Sequence, residues 1–246
     1  MKYRYYRMPF LTQHECDQII NFYNQESDRE VNDYVTLTGR TIPRDQKVVS
    51  LTDRDDLYTF FQNRLREKHS EICAGMGWDN EYLSRCYYQH CEQCGITNPP
   101  EFQDNIKTYE VFLSRYGIGN FCSMHQDNLT MGRMFNDWYW SQSKFNPTKR
   151  HQHPRQYIVS VMLNDDYTGG ELGIITDETT NETVSIKAAT GEIVVMEAPC
   201  WHEVKPVTSG ERYVIISWAY TDNDIFIPAG APKNVFDLAE NLYESN

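Results

Sequence analysis

The sequence predicts an α+β fold that is mainly β, a double-sheet jelly roll or small barrel braced by N-terminal helices. About eight short runs rich in Val, Ile, Tyr and Phe follow residue 106, and turns that contain glycine separate them. The chain before residue 106 instead holds two segments whose apolar residues recur at helical spacing. Many short strands in one span are typical of closed or double-sheet antiparallel architectures.

The two predicted helices span residues 9–26 and 55–74. Thr12 and Glu15 have the spacing of a capping box, which indicates a defined start for the first helix. Residues 80–105 combine several aromatic and cysteine residues with a Pro-Pro pair, so we expect a connector there.

The predicted strands are bounded by turn residues and are rich in β-branched and aromatic side chains. They lie at 107–115, 121–126, 156–163, 171–176, 183–187, 192–197, 203–207 and 211–220. The last two are expected to pair as a hairpin across the turn at Ser209 and Gly210.

These elements suggest three parts within one domain. Residues 1–105 form an N-terminal helical support region, and residues 106–220 form the β core. An insertion at 128–155 interrupts the core, and residues 221–246 form a C-terminal extension.

Composition and charge exclude several classes of function. The chain carries 35 acidic and 23 basic residues, a formal net charge of −12, and such a surface repels both phosphate backbones and anionic membranes. We therefore expect no nucleic acid and no membrane among its partners. The N-terminus lacks the apolar core of a secretory signal. Together with an odd number of cysteines, seven, this predicts mostly reduced thiols in a cytoplasmic protein.

A candidate metal site is formed by His125, Asp127 and His202. Residues i and i+2 of a strand face the same side, so His125 and Asp127 can point into a barrel together. Two histidines and one carboxylate with open positions opposite them are the arrangement that non-haem Fe(II) prefers. Zinc hydrolases use similar ligands, and a core histidine near a surface carboxylate gives the same pattern, so the three residues alone leave these alternatives open.

Arg212 favours the iron interpretation. It follows His202 by ten residues, so in a hairpin both side chains can face the same interior. A buried cation beside a metal needs a partner. A dicarboxylate that chelates the metal at one end and pairs with Arg212 at the other would supply it. The alternative is a solvated strand residue next to Glu211.

Four segments occur in the order and spacing of a known family. They read FLTQHECDQIINF at 10–22, YGIGNFCSMHQD at 116–127, YIVSVMLNDDYTGGEL at 157–172 and HEVKPVTSGERYVIISW at 202–218. Together they resemble the prolyl 4-hydroxylase-like members of the 2-oxoglutarate/Fe(II)-dependent dioxygenase superfamily. The last segment is similar to the ending of PKHD-type hydroxylases in that superfamily.

The resemblance implies a double-stranded β-helix (jelly roll, cupin-like) and a dioxygenase that uses Fe(II), 2-oxoglutarate and O₂. His125, Asp127 and His202 match the family's iron ligands. Arg212 matches the residue that pairs with the distal carboxylate of 2-oxoglutarate, and Tyr116 matches a tyrosine that helps to hold the same co-substrate. Related hydroxylases use ascorbate to rescue oxidised iron, so ascorbate is a further candidate ligand.

The reaction that the resemblance implies is hydroxylation of an unactivated C–H bond in a protein side chain, of the prolyl type, with release of succinate and CO₂. A small-molecule hydroxylase on the same fold and an inactive jelly-roll binding module remain alternatives. The intact triad with Arg212 argues against the inactive module. Asp127 argues against a halogenase, in which the carboxylate position must be vacant for halide.

Two further features carry hypotheses. The 128–155 insertion is long enough for a lid over the substrate, with Trp138 or Trp140 lining the pocket. The alternative is a helix that packs its aromatic side chains on the outside of the barrel. The second hypothesis is a zinc site formed by Cys86, His90, Cys91 and Cys94. These residues are closely spaced in the sequence, and free thiols are the favoured interpretation.

Overall fold

A computed structural model confirms the mainly β fold. Its central feature is one curled antiparallel sheet of 11 strands, with three helices in the described part of the chain. The structure describes residues 2–26, 28–35, 41–51, 54–93, 98–127, 150–151, 155–198, 200–221 and 226–227.

The three helices are α1 (Gln13–Tyr23), α2 (Asp55–Met76) and α3 (Asn80–Gln93). The predicted capping box is present, because the Thr12 side chain accepts from the Glu15 backbone N–H while the Glu15 carboxylate accepts from Thr12 N at 2.7 Å. The first helix is therefore shorter than predicted.

The expectation of a connector at residues 80–105 is wrong for its first half, which forms α3. Asp79 caps this helix, since its carboxylate accepts a hydrogen bond of 2.7 Å from the backbone N–H of Tyr82. Leu83 and Tyr87, four residues apart, are both buried and supply one apolar face. The helix therefore has an ordinary N-cap and an apolar face, although its amino-acid composition suggests a loop.

All eight predicted strands are found, although residues 203–207 divide between two strands. The strands β1 to β15 are Tyr5–Pro9, Arg29–Val35, Thr41–Ser50, Ile106–Tyr116, Phe121–His125, Arg150–His151, Arg155–Met162, Thr168–Gly169, Leu172–Asp177, Glu182–Ile186, Glu192–Glu197, His202–Val204, Val207–Ser209, Arg212–Thr221 and Phe226–Ile227.

The sheet order explains how a cavity forms. The strands follow one another as β1-β11-β7-β14-β4-β3-β5-β12-β9-β10, and β2 pairs with β3. β3 joins two halves: Lys47 to Ser50 pair with β4, whereas Arg44 and Asp45 pair with β5. The strands on one side of β3 form a major half that consists of β1, β11, β7, β14 and β4. It faces a minor half that consists of β5, β12, β9 and β10, and this is the predicted jelly roll.

Residues 1–105 form more than a helical support, because β1, β2 and β3 join the sheet. β1 lies at the sheet edge, where its terminal Pro9 is tolerated. β3 contains Pro43, and its inward positions Arg44 and Gln46 are polar, so it lacks the usual apolar alternation. The proposed domain boundaries remain a prediction.

The predicted hairpin between residues 203–207 and 211–220 is wrong. β12 pairs with β5 and β9, whereas β14 pairs with β4 and β7. Between them β13 pairs with β8, which carries the chain from the minor half to the major half. His202 and Arg212 consequently reach the interior from opposite halves of the sheet.

Two apolar clusters lie on the two faces of the major half, which confirms that helices brace one face. The outer cluster packs α2 residues such as Leu65 and Ile72 against Ile215. The inner cluster lies between the halves and includes Val214 and Ile174. Successive residues of β14, such as Val214 and Ile215, thus point to opposite faces of the sheet. None of the described helices is both long and apolar enough to cross a membrane.

Several predictions concern parts that the structure does not describe. The 128–155 insertion is described only at residues 150–151 and 155, and the 221–246 extension only at 221 and 226–227. The hypotheses on a lid and on zinc fall outside the described residues or side chains; they concern Trp138, Trp140, Cys86, His90, Cys91 and Cys94.

Candidate metal and co-substrate site

The structure brings His125, Asp127 and His202 together. His125 ends β5 and His202 begins β12, where the two residues lie directly across from each other in the strand pair. Asp127 follows two residues after His125, just beyond the strand end. One ligand atom from each side chain lies within 4.8 Å of the others. The downstream imidazole therefore meets the other two side chains at a common centre.

Backbone hydrogen bonds fix how both rings are oriented. Nδ1 of His125 lies 2.7 Å from the carbonyl oxygen of Ser123, and Nδ1 of His202 lies 2.9 Å from that of Cys200. A carbonyl oxygen only accepts, so Nδ1 carries the proton in each ring. Nε2 is then the ring nitrogen that each histidine presents to a metal, and this is the usual tautomer of a metal-binding histidine.

The carboxylate of Asp127 lies between the two rings. Its Oδ1 is 3.4 Å from Nε2 of His125, and its Oδ2 is 3.6 Å from Nε2 of His202. The indole N–H of Trp218 donates to Oδ2 at 2.7 Å, and both partners are buried. Trp218 therefore holds the carboxylate in place, a role that the sequence motif did not reveal.

Burial and neighbouring charges shift the pKa values of the two histidines apart. Burial lowers the pKa of His125, but hydrogen bonds and charge from Asp127 and Cys122 outweigh it and raise the value to about 10. Burial, reinforced by the charge of His125, lowers the pKa of His202 to about 4. Without a metal, His125 is therefore protonated and His202 is neutral, and a metal cation would have to displace the additional proton from His125.

Arg212 is a buried cation, and two of its nitrogen atoms lack a hydrogen-bond partner among the described residues. It begins β14 directly across from Tyr116 at the end of β4, and its guanidinium carbon lies 5.1 Å from the centre of the Tyr116 ring. Its side chain is among the most deeply buried, with 1% exposure, yet Nε and Nη1 have no hydrogen-bond partner in the described part of the chain. Such a group is costly unless an anion pairs with it. A carboxylate-bearing ligand fits this requirement.

Gly170, in the GGE element, makes room for Arg212. Its φ of +66° lies in the region that favours glycine, and a Cβ atom there would lie 3.2 Å from Cδ of Arg212. The same Cβ would lie 3.0 Å from Cγ2 of Val207. The element therefore allows the backbone to pack closely along the arginine stem.

A single cavity of about 150 Å³ reaches the metal triad, Arg212 and Tyr116 together. Apolar side chains such as Ile158, Leu172 and Ile216 form much of its wall. Other polar residues that the sequence did not predict also line the cavity. They are Arg44, Gln46, Ser114 and Ser160. Two of them belong to β3, a strand that the apolar pattern did not predict.

The part of the chain that matches a known protein family lies in the β core. A model described as the 2OG-Fe(II) oxygenase superfamily matches residues 111–220, which include the triad, Arg212, Tyr116 and Trp218. The match covers less than half of the chain, so it shows what this segment is similar to. This finding confirms the resemblance recognised in the sequence, and the superfamily's name specifies Fe(II) and 2-oxoglutarate.

Two proteins that are similar to this chain are named PKHD-type hydroxylases. One, from Prochlorococcus marinus, is 30% identical over 139 residues, which cover 56% of this chain and 55% of the relative. The other, from Hyphomonas neptunium, is 31% identical over 113 residues, which cover 46% of this chain and 43% of the relative. The chain therefore matches about half the length of these relatives.

Two solved structures are similar in fold to most of this chain. A prolyl-4-hydroxylase from Pseudomonas putida has a TM-score of 0.52 at 14% identity and covers 90% of this chain and 94% of its own. A 2OG-Fe(II) oxygenase family oxidoreductase from Burkholderia pseudomallei has a TM-score of 0.50 at 16% identity, with coverage of 92% and 89%. At these identities the likeness concerns the fold alone.

Proposed function

We propose that the chain is an Fe(II)- and 2-oxoglutarate-dependent oxygenase, in which His125, Asp127 and His202 hold the iron. Arg212 and Tyr116 hold the 2-oxoglutarate. The observation that carries the proposal is the buried guanidinium of Arg212, which lines the same cavity as the triad and whose Nε and Nη1 have no hydrogen-bond partner among the residues that the structure describes. A zinc hydrolase has no need of a buried cation beside its metal, whereas a dianionic co-substrate requires one.

Bound Fe(II) and 2-oxoglutarate supply activation of O₂, in which 2-oxoglutarate yields succinate and CO₂ and a C–H bond is hydroxylated. The residues of this chain orient the reactants. Carbonyl hydrogen bonds fix His125 and His202, and Trp218 fixes Asp127. The guanidinium of Arg212 pairs with the distal carboxylate, which determines the direction in which the co-substrate lies.

Tyr116 serves as a neutral hydrogen-bond donor beside Arg212. Burial is the main cause that raises the pKa of its hydroxyl far above the ordinary value, so it keeps its proton at neutral pH. A protonated phenol can donate to the same carboxylate that the guanidinium binds. The apolar wall around them excludes water and strengthens both interactions.

The proposed product is a hydroxylated C–H carbon in a protein side chain, with proline as the first candidate. The name of the relatives, PKHD-type hydroxylase, supports hydroxylation. Hydroxylation of a small molecule on the same site is the alternative. A lid formed by residues 128–155, with Trp138 or Trp140 in the pocket, and the use of ascorbate both remain predictions.

The test begins with protein purified without oxygen and loaded with Fe(II). We expect calorimetry to show 2-oxoglutarate binding, and turnover to form succinate in wild type but not in Asp127→Ala. Mass spectrometry should then show a proline-containing peptide or a metabolite that gains one oxygen atom. Bound zinc without affinity for 2-oxoglutarate would instead identify a hydrolase. Binding of 2-oxoglutarate without succinate formation would identify an inactive binding module.

A further inference from the structure

Two buried glutamines differ in whether the protein satisfies their polar atoms. Gln62, on α2, is 5% exposed, and its Oε1 accepts hydrogen bonds of 2.8 Å from both the backbone N–H and the hydroxyl of Thr108. Its Nε2 donates to the carbonyl oxygen of Ile106 at 3.3 Å. Gln46, on β3, is 6% exposed, yet its Oε1 is buried and has no hydrogen-bond partner among the residues that the structure describes. Gln62 is therefore a structural residue, whereas Gln46 keeps a buried acceptor unpaired.

The position of Gln46 places this acceptor in the candidate site. Its side chain lines the same cavity as the metal triad and Arg212. β3 pairs with β5 immediately before Gln46 and with β4 immediately after it. The amide therefore lies on the wall between the major half, which carries Arg212, and the minor half, which carries His125 and His202.

The co-substrate does not satisfy Oε1 of Gln46. At neutral pH the two carboxylates and the ketone of 2-oxoglutarate only accept hydrogen bonds, and so does the oxygen of an amide. The unpaired nitrogens of Arg212 and the unpaired hydroxyl of Ser114 can instead donate to it. A buried acceptor without a donor costs the free energy of its desolvation. Oε1 therefore calls for a second ligand that carries an N–H or O–H group.

We propose that Gln46 accepts a hydrogen bond from the substrate to be oxidised. This inference rests on the proposed function, because it assigns Arg212 to 2-oxoglutarate and the triad to the iron. The substrate class is a compound with an N–H or O–H donor near the carbon that is hydroxylated. The donor is either a peptide amide or the hydroxyl of a small molecule. A buried acceptor rejects an analogue that lacks the donor, so Gln46 determines specificity.

The first test measures what the unpaired acceptor does to stability. Methionine is flexible and similar in size to glutamine, but it has no strong acceptor. In the full chain without substrate, Gln46→Met should raise the urea midpoint of unfolding, because it removes a buried unpaired oxygen. Gln62→Met is the matched control and should lower the midpoint, because it breaks the bonds to Thr108. If Gln46→Met also lowers the midpoint, the protein or a buried water satisfies Oε1, and the subsite is overturned.

The second test compares probes that differ in one donor. The protein is loaded with Mn(II) and saturated with 2-oxoglutarate, and relaxation of probe protons by Mn(II) reports binding near the metal without turnover. One pair is N-acetylproline methylamide and the methyl ester, in which oxygen replaces the N–H. The other pair is cyclopentanol and cyclopentanone, which keeps the oxygen but loses the donor. We expect wild type to prefer the donor by about tenfold in at least one pair.

Variants assign the preference to Gln46. Gln46→Met should abolish it and leave the affinity for 2-oxoglutarate nearly unchanged. Gln62→Met should keep the preference, because Gln62 does not line the cavity. A preference confined to the first pair identifies a peptide substrate, and one confined to the second identifies a small alcohol. A preference in both pairs that disappears in Gln46→Met supports the subsite for either source.

Three results separate the possible failures. If wild type does not bind 2-oxoglutarate, the proposed function fails and this inference fails with it. If it binds 2-oxoglutarate but treats both members of each pair alike, or keeps its preference in Gln46→Met, only the donor subsite is overturned. If Gln46→Met weakens 2-oxoglutarate binding as strongly as Arg212→Gln does, Gln46 belongs to the co-substrate site and the inference is likewise overturned.

Discussion

Two buried histidine–aspartate clusters lie on opposite faces of the major half of the sheet, and they differ in how the rings are used. In the outer cluster, His69 on α2 uses both ring nitrogens. Nδ1 lies 3.0 Å from the hydroxyl of Tyr157, and Nε2 lies 2.8 Å from Oδ1 of Asp104. The protein alone satisfies this histidine, and the cluster joins α2 to β7 and to the segment before β4.

In the cavity, His125 and His202 each use only Nδ1 for an ordinary hydrogen bond. Their Nε2 atoms face the carboxylate of Asp127 at 3.4 and 3.6 Å, which is longer than a normal hydrogen bond. The comparison shows that burial and an aspartate neighbour do not distinguish a candidate metal ligand from a structural histidine. The distinguishing feature is a ring nitrogen that faces other ligand atoms across a gap.

The strongest test of this difference replaces the aspartate of each cluster by asparagine. Asp127→Asn removes an anionic ligand, so Mn(II) affinity measured by calorimetry should fall at least about a hundredfold. Asp104→Asn should leave the metal affinity unchanged and lower the free energy of unfolding in urea by about 1 kcal/mol. Equal loss of metal affinity in the two variants would contradict the distinction.

Arg212→Gln should separate co-substrate binding from metal binding. The loss of a charge-assisted pair in a buried site costs about 2 kcal/mol, so 2-oxoglutarate affinity should fall roughly 30-fold. The affinity for Mn(II) alone should change little, because the triad is intact. Calorimetric titrations of the same preparation measure both. Arg115→Gln, on the outer face of β4, is the matched control and should leave both affinities unchanged.

Trp218→Phe should have a smaller effect on the metal. The variant keeps the ring packing but loses the indole N–H that holds Oδ2 of Asp127. Partners that orient a metal ligand commonly contribute tenfold or more, so Mn(II) affinity should fall about tenfold. Affinity equal to wild type would show that the backbone alone positions Asp127.

The pH dependence of metal binding gives the smallest expected change. The pKa of His125 is raised to about 10 in the metal-free protein, so the ring is protonated at neutral pH and a metal must displace that proton. Affinity for Mn(II) should therefore rise by about threefold from pH 7.0 to pH 7.5. Asp104→Asn should show the same slope. A flat profile would mean that no proton is displaced from the imidazole.

Much of the site could be predicted because its signals are local in the sequence. The i, i+2 spacing places His125 and Asp127 on one side, and the motif order places His202 and Arg212 in the same fold. The predicted hairpin was nevertheless wrong, because strand pairing depends on contacts distant in sequence. His202 pairs across from His125 rather than next to β14, and spacing alone does not encode that register.

The parts that sequence reasoning missed share a physical cause. β3 was not predicted because Arg44 and Gln46, which line the cavity, are polar and Pro43 interrupts the strand, so β3 lacks the alternation of an ordinary strand. α3 was missed because its cysteines and aromatic residues suggested a connector, although Asp79 supplies an N-cap. Trp218 stood within a recognised motif, but only its distance to Asp127 shows what it contacts.

β14 carries Arg212 at its start and Trp218 six residues later, both lining the cavity. Residues an even number apart keep the same face of a strand, so inserting one residue between them would turn one of the two outward. Inserting two would keep both inward but separate them further by about 6–7 Å. If Arg212 and the metal hold a diacid as proposed, this spacing would set the length of the diacid that can bridge them, and shorter or longer diacids should bind poorly.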